Sequence, residues 1–324
     1  MFEIRRFLPC EALRAYVDTY YLVEVDCPHG QQLEDLLLPE LPNLRFQLTG
    51  DWDVDFGSGY EKAPRACLFG FTNAPFRVRV AGKAVLFGAG LKPLGWQALV
   101  PLPANRLSDK AQDCTAIWPH KTRLIESIRA GLAGASSGKE MTAAVDEMLL
   151  DLKMPVPPVT QKMLTYLEAT LADQTDVPIT RVDELAEEMG LSVRQVERWT
   201  NQLYGCSPKL LLRKHRFLTM LARHGGCGAG DAWIEAADET FYDQSHFIRE
   251  YKRFTGRSPG QYARQPASLQ HAVTHTLGKV KGRTPGRMAL KLEANGPSES
   301  QDQGRTPRPQ TLPEKERSAC SILP

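Results

Sequence analysis

The first 115 residues carry short apolar or alternating runs, separated by turn residues such as Gly50 and Gly59. Runs of this length and spacing are typical of β-strands. The predicted strands cover residues 20–25, 36–38, 43–48, 52–56, 66–71, 76–80 and 84–89. So many short strands at close spacing predict a compact β barrel or sandwich, and a short helix is predicted over residues 94–100.

Hydrophobic positions change to helical spacing after residue 121. Apolar side chains recur every three or four residues in residues 124–132 and 141–149. A third helix is predicted over residues 159–171, after a proline-rich break at 154–158. These helices form either a packed connector or a dimer surface, and the pattern leaves both open.

The segment LAEEMGLSVRQVERW, residues 185–199, has the pattern of a helix-turn-helix. Ala186 is the small residue needed where two helices cross, Gly190 accepts a left-handed turn, and Ser192 caps the second helix. The apolar positions of its small core are Leu185, Met189, Leu191, Val196 and Trp199. The structural alternative is a helical hairpin with no role in DNA binding.

A second unit repeats this design 51 residues later, because GCSP at 205–208 falls on GRSP at 256–259 and the cap Ser192 falls on Asp243. Phe247 and Tyr251 are expected to face inward. The polar positions left to reach base edges and phosphates are Arg194, Gln195, Glu197, Arg198 and Asn201 in the first unit, and Gln244, Ser245, His246 and Arg249 in the second. For His246, helix packing is the alternative to base or phosphate contact.

Residues 207–224, between the two units, are predicted to form one helix of about 18 residues, about 27 Å long. Such a rod can hold two recognition helices, at about residues 192–203 and 243–254, in successive major grooves about 34 Å apart. Its lysines and arginines are expected to hold phosphates.

Net charge is +2, but the chain is acidic up to residue 177 and basic after it. No apolar run approaches the roughly 20 residues that cross a bilayer, and the N-terminus is charged where a signal peptide is apolar. We therefore expect a cytoplasmic protein with no membrane contact. Residues 267–324, rich in Pro, Gly, Ser, Gln and Arg, predict a disordered basic tail that is either dispensable or adds non-specific attraction to DNA.

The sequence contains no residue pattern that indicates an enzyme active site. The seven cysteines form no C-x-x-C pair, which argues against a zinc site or a disulfide framework. The glycine-rich stretch at 225–230 lacks the Lys-Ser/Thr of a phosphate-binding loop, and residues 1–115 hold a single histidine, His29. We expect no enzyme, no cofactor and no metal.

The C-terminal motifs carry a family resemblance. Residues 177–264 resemble the AraC/XylS family of bacterial transcription regulators in LAEEMGLSVRQVERW, in YGCSPKLLLRKHRF and above all in FYDQSHFIREYKRFTGRSPGQY. Residues 1–115 resemble the N-terminal domain of one branch of that family through LPELPNLRFQLTG and FGFTNAPFRVRVAGKAVLFGAGLKPLGWQALVPLPANRLSD.

The resemblance implies an activator or repressor that binds double-stranded promoter DNA and acts on RNA polymerase. Its N-terminal domain would bind a small-molecule effector or form a homodimer. By position, the base-reading residues are Arg194, Glu197, Arg198, Gln244, Ser245, His246 and Arg249. Two positions depart from the family: Thr240 replaces a glycine, where a β-branched residue disfavours positive φ, and Thr200 replaces a bulky apolar residue.

The sequence therefore predicts an α+β protein. A β-rich sensory or dimerisation domain spans residues 1–115, a helical connector 116–176, a DNA-binding domain with two helix-turn-helix units 177–266, and the tail 267–324. The competing hypothesis is a ligand-binding or protein-interaction module whose helix-turn-helix no longer binds DNA.

Overall fold

A computed structural model describes residues 2–172, 179–223 and 244–263. The predicted tail, the glycine-rich stretch at 225–230, Thr240 and the predicted cap Asp243 lie outside these residues. The described strands all fall before residue 114, and the longer helices follow them. The chain is thus α+β, as the sequence predicted.

Ten strands form two antiparallel sheets within the described residues. They are β1 (Phe2–Phe7), β2 (Val17–Asp26), β3 (Gln32–Leu37), β4 (Asn43–Thr49), β5 (Trp52–Asp55), β6 (Glu61–Lys62), β7 (Ala66–Phe69), β8 (Phe76–Ala81), β9 (Lys83–Leu91) and β10 (Ala111–Asp113). The first sheet has the order β1-β2-β9-β4-β7-β10, and the second has the order β3-β8-β5-β6.

The two sheets pack face to face around an apolar core. Strand β8 shows why, since Phe76, Val78 and Val80 are buried and alternate with more exposed residues, as one buried sheet face requires. They meet Val23 and Phe69 of the first sheet in the same cluster. Of the two predicted forms, the sandwich is therefore correct, and the described strands do not close a barrel.

Helices cover the other face of the first sheet. The described ones before residue 173 are α1 (Pro93–Leu99), α2 (Cys114–Ile117), α3 (Thr122–Gly134), α4 (Gly138–Leu152) and α5 (Pro158–Ala172). Asp146 of α4 accepts hydrogen bonds from the Tyr20 hydroxyl at 2.6 Å and from the Cys10 amide at 3.2 Å. These contacts hold α4 against the β domain, as expected for a packed connector. A dimer surface on these helices stays a prediction.

The C-terminal helices are α6 (Val182–Met189), α7 (Val193–Tyr204), α8 (Pro208–Arg223), α9 (Gln244–Thr255) and α10 (Pro259–Ala263). The predicted rod is α8, whose 16 residues span about 24 Å. Within the described residues, no helix is long and apolar enough to cross a membrane.

Candidate nucleic-acid interface

The first turn is built on Gly190. Its φ of 62° and ψ of 33° are left-handed, a conformation that costs a residue with a Cβ about 1–2 kcal/mol. The next amide, of Leu191, donates to the Ala186 carbonyl at 2.9 Å and so closes the end of α6. Ala186 is buried, consistent with a small residue at the helix crossing.

Ser192 fixes the beginning of α7. Its hydroxyl accepts the amide of Gln195 at 3.3 Å, and the Gln195 side-chain oxygen accepts the Ser192 amide at 2.9 Å. This reciprocal pair satisfies amides that have no partner inside the helix. The N-terminal turn of α7, the end that enters a groove in helix-turn-helix proteins, is therefore held in one geometry.

The inner face of α7 is closely packed. Val196, Trp199 and Leu203 are at most 1% exposed. Thr200 is fully buried as well, and its hydroxyl donates to the Glu197 carbonyl at 3.3 Å, so a hydroxyl is accommodated where the family has a bulky apolar side chain. The buried Trp199 indole N–H has no acceptor among the described residues, an arrangement that costs stability.

The outer face of α7 is polar. Arg194 and Glu197 are exposed, and Arg198 is half-buried. The Asn201 side-chain amide donates to the Glu197 backbone carbonyl at 2.8 Å. The structure thus brings the three predicted base-reading residues of the first unit to one helix, with the Arg198 side chain less accessible than the other two.

Helix α9 presents the second set in the same way. Gln244, Ser245 and Arg249 are exposed, and His246 is half-buried. The opposite face packs into an aromatic core with the rings of α8 and α10, in which centroids lie 5.2–5.7 Å apart. The rings of that core are Phe217, Phe247, Tyr251, Phe254 and Tyr262.

The 51-residue repeat is visible at the ends of both helices. Gly205 ends α7 with a φ of 68°, and Gly256 follows α9 with a φ of 70°. The hydroxyls of Ser207 and Ser258 then accept amides of α8 and α10, each of which begins at a proline. Proline suits a first helical position, where the missing N–H has no partner in the helix.

Two cations of α8 form contacts inside the protein. Arg213 forms a bidentate ion pair with the buried Glu250 of α9, with 3.0 Å between Nε and Oε2. Lys214 is buried and donates to the Thr72 carbonyl at 3.1 Å and to the Asn73 side-chain oxygen at 3.3 Å. The prediction that the cations of this helix hold phosphates is therefore wrong for Lys214, which the loop after β7 covers. Arg213 is half-buried, so its contact with phosphate stays a prediction. Lys209 remains exposed.

The same environments perturb the ionisation of these groups. Burial lowers the pKa of Lys214, which has neutral oxygens as its hydrogen-bond acceptors. Burial alone would raise the pKa of Glu250, but the hydrogen bond and charge of Arg213 lower it. Both groups therefore serve contacts inside the protein, and the described residues contain no cluster of His, Cys, Asp and Glu that could hold a metal.

Two family models match the chain. A helix-turn-helix domain matches residues 185–265, and a domain of unknown function (DUF6597) matches residues 5–113. The search of curated proteins found no match to the chain.

Similarity to solved structures is low. The 1.65 Å structure of ToxT from Vibrio cholerae is 7% identical with a TM-score of 0.40, over 81% of this chain and 97% of that chain. ToxT from Vibrio cholerae O395 is 9% identical with a TM-score of 0.40, over 81% and 96%. The AraC-like transcriptional activator CuxR is 12% identical with a TM-score of 0.22, over 72% and 91%. TM-scores this low support no conclusion about this chain.

Proposed function

We propose that the chain is a DNA-binding transcription regulator of the AraC type, whose helix-turn-helix domain, matched at residues 185–265, reads promoter DNA with two recognition helices, α7 and α9. Each helix enters a major groove, and the two grooves follow one another on one face of the duplex. The base-reading side chains are Arg194, Glu197, Arg198, Gln244, Ser245, His246 and Arg249.

The observation that carries this proposal is the repeated presentation of a polar helix face. Helices α7 and α9 each bury an aromatic or aliphatic stripe and expose side chains able to form hydrogen bonds on the other side. Exposed arginines such as Arg194 and Arg249 suit bidentate contact with guanine, and exposed amides such as Gln244 suit adenine. Lys209, on the exposed side of α8, is the lysine we propose to contact a phosphate.

Selection of a binding site by the full chain tests the proposal. A pool of random duplex DNA is incubated with the protein at near-physiological salt, and bound molecules are sequenced. Enrichment of two short motifs about one helical turn, or about 10 base pairs, apart is expected. A well-folded protein that enriches no motif would refute sequence-specific recognition.

The alternative is a ligand-binding or protein-interaction module that has lost DNA binding. It is favoured by the burial of Lys214 and by the ion pair of Arg213 with Glu250, which reduce the positive charge available to phosphates. Salt separates the two functions, because neutralising phosphates releases counterions and makes affinity fall steeply with salt. If the chain binds a protein partner with an affinity that does not fall steeply with salt, and binds DNA weakly, that result would favour the module.

Control of DNA binding by the N-terminal half is part of the proposal. It is supported by direct contacts, since Lys214 of α8 and the end of α7 both touch the loops of the β sandwich. A small-molecule effector there, a homodimer and contact with RNA polymerase complete the proposed regulator.

A further inference from the structure

The β sandwich touches the first helix-turn-helix unit at its closing glycine turn. The Gly205 carbonyl accepts the Ser108 hydroxyl at 2.8 Å and the Asn73 side-chain amide at 3.4 Å. The approach is close enough that a Cβ on Gly205 would lie 1.9 Å from the Ser108 oxygen. The Phe71 ring packs beside the Tyr204 ring, with centroids 5.8 Å apart.

The β sandwich touches the second helix-turn-helix unit at the equivalent turn, around Gly256. A Cβ on Gly256 would lie 2.4 Å from Leu36 Cδ2 and 3.5 Å from Pro75 Cγ. Leu38, two residues further on, belongs to the buried cluster that holds the α9 rings. Gly205 and Gly256 are the positions related by the 51-residue repeat, so one domain meets two copies of the same turn.

Helix α8 is held between these two contacts. Lys214, near its middle, donates to the Thr72 carbonyl and the Asn73 side chain. Two of the loops that take part in these contacts, the one after β3 and the one after β7, are themselves joined, because the Glu40 amide donates to the Thr72 hydroxyl at 2.7 Å and the Thr72 amide donates to the Glu40 carbonyl at 3.2 Å.

From this arrangement we propose that the β sandwich is a brace that fixes the distance and rotation between α7 and α9, and thereby sets the number of base pairs the protein accepts between its two half-sites. The inference rests on the proposed function. Adding one base pair moves a half-site by about 3.4 Å and turns it by about 35°. A rigid three-point contact, added to the packing of both units on α8, rejects such a change, whereas we expect two units held by α8 alone to adjust to it more readily.

The test measures spacing preference with the full chain. The two half-sites from the selection are synthesised with spacers shortened or lengthened by one and two base pairs, and the dissociation constant is measured for each. For the unaltered protein we expect a loss of about tenfold or more for one base pair, equivalent to about 1.4 kcal/mol. In Lys214→Met we expect that loss to fall to about threefold or less.

Two further variants sharpen the comparison. The pair Ser108→Ala with Leu36→Ala weakens both turn contacts and should relax the spacing in the same way. Lys209→Met removes an equal charge from the exposed side of the same helix, so it should keep the spacing preference even where overall affinity falls.

A distance measurement covers the case in which a variant binds poorly at every spacing. Spin labels on unnatural amino acids at Glu197 of α7 and Lys252 of α9, both exposed, report the separation of the helices without DNA. A narrow distribution that broadens in Lys214→Met is expected. An equally narrow distribution in both proteins would overturn the brace.

The outcomes separate the two proposals. If the unaltered protein enriches no bipartite site, the proposed function fails, and the spacing role fails with it. If it binds a bipartite site but Lys214→Met and the double variant keep its spacing profile, the brace alone is overturned. If the variants gained affinity equally at all spacings, the brace would also be overturned. That result would mean that the contact with the β sandwich only hinders DNA binding.

Discussion

The ion pair between Arg213 and Glu250 joins the connecting helix to the second recognition helix, and its two ends differ in exposure. The Glu250 side chain is 3% exposed and that of Arg213 is 28% exposed. Removing Arg213 therefore leaves a carboxylate cut off from water, whereas removing Glu250 leaves a guanidinium that water reaches. The two single substitutions should differ in cost, although they break the same contact.

The expected size follows from that difference. Breaking a buried pair by removing one partner costs about 3–5 kcal/mol, and we place Arg213→Met in this range. Glu250→Gln keeps an acceptor for the guanidinium and loses only the charge assistance, about 1 kcal/mol. The pair replaced together, Arg213→Met with Glu250→Leu, should recover much of the loss, because no unpaired charge remains buried.

The dependence on pH gives a second signature. Burial raises the pKa of Glu250, but Arg213, aided by His246 and Arg216, lowers it below the usual 4.5. A carboxyl group with a lowered folded-state pKa contributes stability above its unfolded pKa, and this is lost as pH falls through the folded pKa. In Arg213→Met the pKa of Glu250 rises, so the variant is least stable relative to the parent at neutral pH, and the gap closes on acidification.

Hydrogen exchange of peptides from α9, corrected for the intrinsic pH dependence, measures this local free energy. Lys252→Met is the control, since Lys252 is exposed on the same helix. Equal losses in Arg213→Met and Glu250→Gln, or a gap that widens on acidification, would refute the reasoning from exposure.

Three further outcomes are expected. Ser192→Ala removes the hydroxyl cap of α7 and should cost about 1 kcal/mol in protection of that helix, whereas Ser192→Asp should retain it; an unchanged protection would show that the cap is dispensable. Gly205→Ala combines a left-handed residue with a Cβ 1.9 Å from the Ser108 oxygen and should lower the melting temperature more than Gly190→Ala; the reverse order contradicts the close approach. Arg249→Ala should weaken binding to the selected site by about 1–3 kcal/mol with little effect on random DNA, and equal losses on both would make it a phosphate contact.

Local patterns were sufficient for much of the fold. Alternation in residues 76–80 predicted β8, and the glycine followed by a hydroxyl cap at Gly190 and Ser192 predicted the turn that the structure shows. The signal was missing where an element is short or interrupted. Strand β10 has three residues, and in β1 the adjacent Arg5 and Arg6 break the alternation that identifies a strand.

Contacts between distant segments could not be predicted. Arg213 and Lys214 are neighbours in a basic helix, and side chains one position apart point about 100° apart around the axis. Which of them reaches solvent depends on what covers each side, here α9 for one and the loop after β7 for the other. The sequence shows charge at these positions but not its partner, so phosphate contact was the natural expectation for both and is incorrect for the buried Lys214. The base-reading roles of the seven side chains, and the domain boundaries, stay predictions.

One hydrophobic core runs from the sandwich into the C-terminal helices, where Phe71 and Trp96 share a cluster with Tyr204 and Cys206. Because this core is shared, the order of synthesis on the ribosome affects how the protein folds. Because the strands are synthesised first, we expect the sheets to form before the later helices pack against them, as in chains whose N-terminal parts fold during synthesis. A nascent chain cut short after the sandwich leaves that surface uncovered, and a C-terminal fragment made alone lacks the template on which its first unit packs.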